Sequence, residues 1–247
     1  MTYAEYCRTL RAELDRFVSL LADADLATAV PTCPGWDLAR LVGHVGSTHR
    51  WVAAMVSAGS LDPLPFPPFR DAIPGDPTTR VAWLAEGAEE LLATFAAVPA
   101  DRPAWALGPD HHARFWPRRM LHEATVHHAD ASLALGKPPG IAPKVAADGI
   151  GEFLTNLPHI TRVPGAAAVD RPGRTIAFMA TDTGMVWRTE LGVSGLSWSR
   201  ADTAAGADAV VSAPVAGLYL FVYGRDPVVT ITGDGGLLAR WTAATAL

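Results

Sequence analysis

Asp37-Leu38-Ala-Arg-Leu41-Val-Gly-His44-Val45-Gly-Ser-Thr48-His49-Arg-Trp51-Val52-Ala-Ala-Met55 is the stretch that decides the fold. Leu41, Val45, Val52 and Met55 recur at helical spacing, and Asp37 suits an N-cap, so a helix is expected over 38–58. His44 sits at the edge of the apolar stripe, with Thr48 one turn further on. Upstream, Leu10, Leu14, Phe17 or Val18, and Leu21 mark a helix over 4–27, broken by Pro31-Thr-Cys-Pro-Gly-Trp36. Downstream, a proline-rich stretch makes 59–77 irregular. Val81, Leu84, Ala88, Leu91 and Phe95 then give a third helix over 78–98. After a second irregular stretch, 99–116, a fourth helix runs from about Pro117 to Leu135 and ends at Gly136. Four amphipathic helices with two long connections read as a four-helix bundle.

Residues 137–147 are rich in proline and glycine and read as a linker. Beyond them the hydrophobic period changes from helical to alternating. Residues 174–181 and 185–191 form a hairpin turned at Gly184, and shorter strands fit 194–200, 208–212 and 228–232. Helices fit 148–156, 214–223 and 237–245, the last capped by Asp234. The fold class is therefore α plus α+β, with a bundle over 1–140 and a smaller α+β domain over 148–247.

The chain has 247 residues, 49% hydrophobic and 18% charged, which is ample for a core. A net charge of −5 argues against nucleic acid or an anionic membrane as partner. No window has membrane-spanning character, and two cysteines do not make a secreted scaffold, so a cytoplasmic protein is expected, a monomer or homodimer acting on a small molecule. There is no phosphate-binding loop, no dinucleotide fingerprint and no nucleophile elbow.

Seven of the eight histidines precede residue 130. The run His122-Glu123-Ala-Thr-Val-His127-His128 superficially resembles a zincin motif, but that motif needs histidines four apart. His122 and His127 are five apart and point ~140° from each other on a helix. Glu123 and His127 are four apart and share a face, which Asp130 extends. A third ligand must come from another helix, and His44 is the best donor, with His111 and His112 in reserve. Two histidines and a carboxylate leave positions open, the pattern of catalytic zinc or of non-haem iron(II). Plainer readings exist for each. A helical histidine is often only hydrogen-bonded, and Glu–His pairs at this spacing are common on exposed faces. His49, His122 and His128 read as surface residues, Cys33 as a small buried hydrophobe, and Trp36, Trp51, Trp83 and Trp116 as core or rim. Arg225 follows a very apolar helix, where it either clamps a carboxylate or sits on the helix dipole.

Val30-Pro-Thr-Cys-Pro-Gly-Trp-Asp37, continuing through Leu38 to His44, resembles the start of the second helix in the mycothiol-dependent maleylpyruvate isomerase family. Arg118-Arg-Met-Leu-His-Glu123-Ala-Thr-Val-His127-His-Ala-Asp130 resembles its fourth helix. Gly217-Leu-Tyr-Leu-Phe-Val-Tyr-Gly-Arg225, Ile231-Thr-Gly-Asp234 and Leu238-Ala-Arg-Trp241 are similar to its second domain. The resemblance implies a DinB-like bundle and a sterol-carrier-like C-terminal unit. It implies a zinc ion held by His44, Glu123 and His127, and mycothiol as thiol cosubstrate. The zinc would hold the thiol as thiolate, for an isomerase of the maleylpyruvate type or an S-transferase acting on an electrophilic small molecule. Arg225 would be a catalytic carboxylate clamp. From its own position one turn beyond His127, Asp130 either orients a ligand histidine as an acceptor or is a surface aspartate. An iron(II) enzyme on the same bundle, or a non-enzymatic metal sensor or small-ligand carrier, are the alternatives. The loops 59–77 and 99–116 match no pattern, and nothing specifies the substrate.

Overall fold

Thr2 and Glu5 start the first helix with a reciprocal capping box: each side chain takes the other residue's backbone N–H. The computed structural model describes residues 1–160, 173–192 and 195–245. It divides into two units, one of Met1–Ala106 with Asp110–Gly140, the other of Leu107–Pro109 with Ile141–Leu247.

The first unit holds α1 (Tyr3–Leu21), α2 (Leu38–Ala58), a short α3 (Pro67–Asp71), α4 (Arg80–Ala97) and α5 (Phe115–Ala134). Asp37 caps α2 as expected, its carboxylate accepting from Arg40 N at 2.7 Å. Gly59 closes that helix in the left-handed region at φ +65°. The long helices pair α2 with α4 and α1 with α5, and α1–α4 and α2–α5 contacts complete the bundle. Phe17, Leu21, Leu38, Leu41, Val42, Val45, Leu84 and Ala131 are buried together in its core.

Small residues set the α2–α4 approach. A Cβ on Gly46 would stand 2.3 Å from the Trp83 ring, which is stacked on the Arg50 guanidinium at 3.9 Å. Arg50 in turn donates to Trp83 O at 2.8 Å, so the ring cannot retreat without breaking this arrangement. Gly46→Ala is therefore expected to destabilise the fold by about 1–3 kcal/mol through overpacking, read as a lower denaturant midpoint at unchanged slope.

Two boundaries depart from the sequence expectation by more than two residues. α1 stops at Leu21 rather than 27. Asp23 and Asp25 fall where the helix dipole disfavours acid, and Asp25 instead forms a turn, accepting from Ala27 N at 3.0 Å. The second concerns the expected linker 137–147, whose end is helical: α6 runs Pro143–Asn156, with Pro143 in the first turn where its missing N–H costs nothing. In the same way Pro67 and Pro68 open α3 inside a stretch read as wholly irregular.

The second unit carries α6, a five-stranded sheet, α7 (Val215–Val222) and α8 (Gly235–Thr245). The strands are β1 (Arg174–Ala180), β2 (Val186–Gly192), β3 (Gly195–Ala201), β4 (Ala209–Ala213) and β5 (Thr230–Gly233). Their spatial order is β3-β2-β1-β4-β5, with β1–β4 parallel and the other pairs antiparallel. Gly184 turns the β1–β2 hairpin at φ +70°, and Phe178 opposes Trp187 across it. Ser194, the first residue of the strand expected over 194–200, lies outside the described residues. Phe178, Trp187, Trp241 and Phe153 are buried, with Trp241 packed against both Phe178 and Phe153. Asp234 caps α8, accepting from Leu237 N at 2.9 Å. No helix among the described residues is long and apolar enough to cross a membrane.

Candidate metal centre

α2 and α5 bring three ligand atoms to one point. His44 Nε2 lies 3.1 Å from Glu123 Oε1, and His127 Nε2 lies 3.3 Å from the same oxygen. The three atoms fall within 4.8 Å of one another. The i, i+4 spacing puts Glu123 and His127 on one face of α5, and α2 presents His44 from across the bundle. The residues fit a metal: two ligands at the usual zinc distances on a tetrahedral ion stand about 3.3 Å apart. Among the described residues, no fourth His, Cys, Asp or Glu joins this trio.

Glu123 divides its carboxylate. Oε1 faces the two imidazoles, while Oε2 lies 3.4 Å from Arg119 Nη2, one turn back on α5. Burial by itself would push the Glu123 carboxyl up. The hydrogen bonds and charges of His127 and His44 overcome it and hold the group well below the usual carboxylate range. Burial would likewise push His127 down, but the hydrogen bonds its ring donates to Asp130 and Glu123, with their charges, raise it above the usual imidazole value.

Asp130, one turn beyond, is wholly buried. Its Oδ2 stands 3.0 Å from His127 Nδ1 and 3.5 Å from the Cys33 thiol, and its Oδ1 accepts from the Thr32 hydroxyl at 2.7 Å. Cys33, His127 and Asp130 thus form a second trio sharing one imidazole with the first. The Trp36 and His44 rings meet edge to face at 5.2 Å, and the Arg40 guanidinium lies over the Trp36 ring at 4.8 Å.

Three of the other histidines are placed differently from the surface positions expected of them, whereas His111 and His112 lie in a loop as expected. His49 and His122 are fully buried and His128 nearly so. α5 packs against both α1 and α2, and 14 of its 20 residues are buried, so it has little outer face to offer. His128 Nδ1 lies 2.7 Å from Glu13 of α1, a buried pair whose partners are over a hundred residues apart in sequence. Among the described residues His49 has no hydrogen-bond partner on either ring nitrogen, and burial pushes it down to about 4 against the opposing charge of Glu123. His111 is exposed, and His112 pairs with Asp110 at 2.6 Å; neither reserve ligand belongs to a candidate metal group.

Arg225 lies in the second unit, three residues beyond the end of α7. Its backbone N–H donates to Leu220 O at 2.9 Å, and its Nη1 donates to Tyr223 O at 2.6 Å.

Sequence reasoning missed the aromatic anchor of the two long loops. Trp51 meets Phe66, Trp105 and Trp116 at centroid distances of 5.7, 5.7 and 5.8 Å. Trp51 Nε1 donates to Leu64 O and Trp116 Nε1 to Trp105 O, so each loop is tied to a helix through an indole. Trp51 lies seven residues after His44 and Trp116 seven before Glu123, which places the anchor two turns from these two residues.

Residues 7–132 match the family model described as "Mycothiol maleylpyruvate isomerase N-terminal domain". A search of curated proteins finds no match. Among solved structures, the chain resembles the mycothiol-dependent maleylpyruvate isomerase at TM-score 0.66 and 14% identity, covering 95% of each chain. A histidine-to-alanine variant of that enzyme is similar at TM-score 0.67, 15% identity and the same coverage. These likenesses show a shared fold.

Proposed function

The chain belongs to the mycothiol maleylpyruvate isomerase N-terminal domain family, and from that premise we propose a metal- and mycothiol-dependent enzyme acting on an electrophilic small molecule. The reaction is an isomerisation of the maleylpyruvate type or an S-transfer. The convergence of His44 Nε2, Glu123 Oε1 and His127 Nε2, with no fourth ligand among the described residues, carries this reading. A zinc ion at these three atoms would supply Lewis acidity and hold a low-molecular-weight thiol as its thiolate at neutral pH.

The chain's own residues do the rest. His44 and His127 each offer one imidazole nitrogen, and Glu123 supplies the negative charge that offsets a divalent cation. Arg119 holds Glu123 Oε2, which leaves Oε1 as the binding oxygen. Trp36 walls the His44 side with an apolar edge. Arg225 is proposed as a clamp for a carboxylate on substrate or thiol, which a guanidinium matches with two parallel hydrogen bonds. Arg225→Ala is then expected to raise KM for a carboxylate-bearing substrate more than it lowers kcat, as steady-state kinetics would read. Cys7 and Cys33 are both in the thiol form, as a reducing cytoplasm would keep them.

The same donor set suits iron(II), so the metal must be identified by elemental analysis. The test of function is turnover of a conjugated unsaturated acid with and without mycothiol. Turnover that requires both the thiol and the metal supports the proposal. Equal rates without thiol contradict it, and absence of turnover with tight metal binding favours a carrier or sensor.

A further inference from the structure

Asp130 is a fully buried carboxyl group, which is costly unless its surroundings supply hydrogen bonds. Its surroundings come from far away in sequence. Thr32 and Cys33 lie in the turn between α1 and α2, which is locked by Val30 N to Trp36 O at 2.9 Å, Cys33 N to Val30 O at 3.0 Å and Trp36 N to Cys33 O at 3.0 Å. Gly35 allows the turn to close, at φ +78°. The turn ends at Asp37, the cap of the helix that carries His44, and Trp36 within it touches the His44 ring. One short segment therefore reaches both histidines.

Two carboxylates compete for the ring of His127. Asp130 faces Nδ1 at 3.0 Å and Glu123 faces Nε2 at 3.3 Å. A neutral imidazole carries one proton, and the nitrogen that keeps it cannot bind a metal. A proton on Nε2 would donate to Glu123 and close the trio upon itself. A proton on Nδ1 leaves the Nε2 lone pair pointing at Glu123 and His44. The side with more support is Asp130, whose other oxygen is fixed by the Thr32 hydroxyl and which also receives the Cys33 thiol.

We propose that Thr32 and Asp130 form a positioning relay that holds His127 in the Nδ1–H tautomer and so keeps the His44–Glu123–His127 site from blocking itself. The relay rests on the reading of that trio as the metal site. It also assigns the second trio, Cys33, His127 and Asp130, a supporting role, because a metal there would have to take the nitrogen that the relay protonates.

The test uses the full chain as Asp130→Asn and, as a milder change, Thr32→Val. The asparagine amide can donate to Nδ1 and so favours the opposite tautomer. In metal-free wild type at alkaline pH, long-range proton–nitrogen correlation spectra are expected to show His127 protonated at Nδ1, with Nε2–H gaining population in both variants. Zinc affinity, read by competition with a chromophoric chelator, is expected to fall about 10–100-fold in Asp130→Asn and less in Thr32→Val. Nε2–H in the wild type, or unchanged tautomer and affinity in both variants, overturns the relay. So does a thiolate charge-transfer band on loading with cobalt(II), which places the metal on Cys33. If wild type binds no zinc but shows Nδ1–H that the variants lose, the relay stands and the metal-enzyme reading falls.

Discussion

Glu123→Gln is expected to cost the protein its metal while leaving it folded. Glutamine keeps the size of the side chain and removes the charge that both imidazoles face. Breaking a buried charge pair costs about 3–5 kcal/mol, which amounts to about two to four powers of ten in affinity. The change also acts without metal. Glu123 lies well below the usual carboxylate range, so it contributes stability that is full above pH 4.5 and is lost as pH falls through its depressed value. His127 is raised, so its contribution is full below pH 6.5 and is lost as pH rises through the raised value. Without metal the protein is thus stabilised by this pair at mildly acidic pH, and a metal bound here would compete with the His127 proton. Wild-type zinc affinity should rise with pH through the raised His127 value, and this slope should shift to lower pH in Glu123→Gln. Calorimetric titration at several pH values checks both effects; a variant that binds zinc as tightly as wild type contradicts the ligand assignment.

Acid should weaken the bundle through His49. In the unfolded chain this imidazole takes a proton near pH 6.5, whereas in the folded chain burial holds it down to about 4. Between those values the unfolded state binds more protons, so stability falls as pH falls across the window. The full loss is about 3 kcal/mol, and about 2 kcal/mol of it should have occurred by pH 5. His49→Leu removes the titrating group. It also removes two ring nitrogens that have no hydrogen-bond partner, so its cost at neutral pH should stay below about 1.5 kcal/mol. Urea unfolding at pH 7 and pH 5 compares the two proteins. A loss of stability with acid that is the same in wild type and variant would show that His49 does not carry it.

The helices of the bundle were legible because their signals are local. Asp37 and the stripe from Leu41 to Met55 lie within one helix, and so does the i, i+4 pair Glu123 and His127. His44 followed from the rule that bundle sites use inward residues on facing helices. The buried histidines were not legible in this way. α5 mixes Ala, His, Thr and Asp around its whole circumference, and what satisfies His128 is Glu13, an α1 residue that no spacing links to it. The support of His127 by Thr32 through Asp130 likewise joins residues nearly a hundred positions apart. Prolines misled in the other direction: at 67, 68 and 143 they open helices, because a residue without an N–H loses nothing in the first turn. The loops 59–77 and 99–116 carry their anchor in Trp51, Trp105 and Trp116, whose mutual contacts exist only once α2 and α5 are paired.

The most direct test of the metal-enzyme account is elemental analysis of the protein purified without added metal, in wild type and in His44→Ala, with circular dichroism to confirm that both are folded. About one zinc per wild-type chain, absent from His44→Ala, is the expected result. Equal metal in the two proteins would contradict the account.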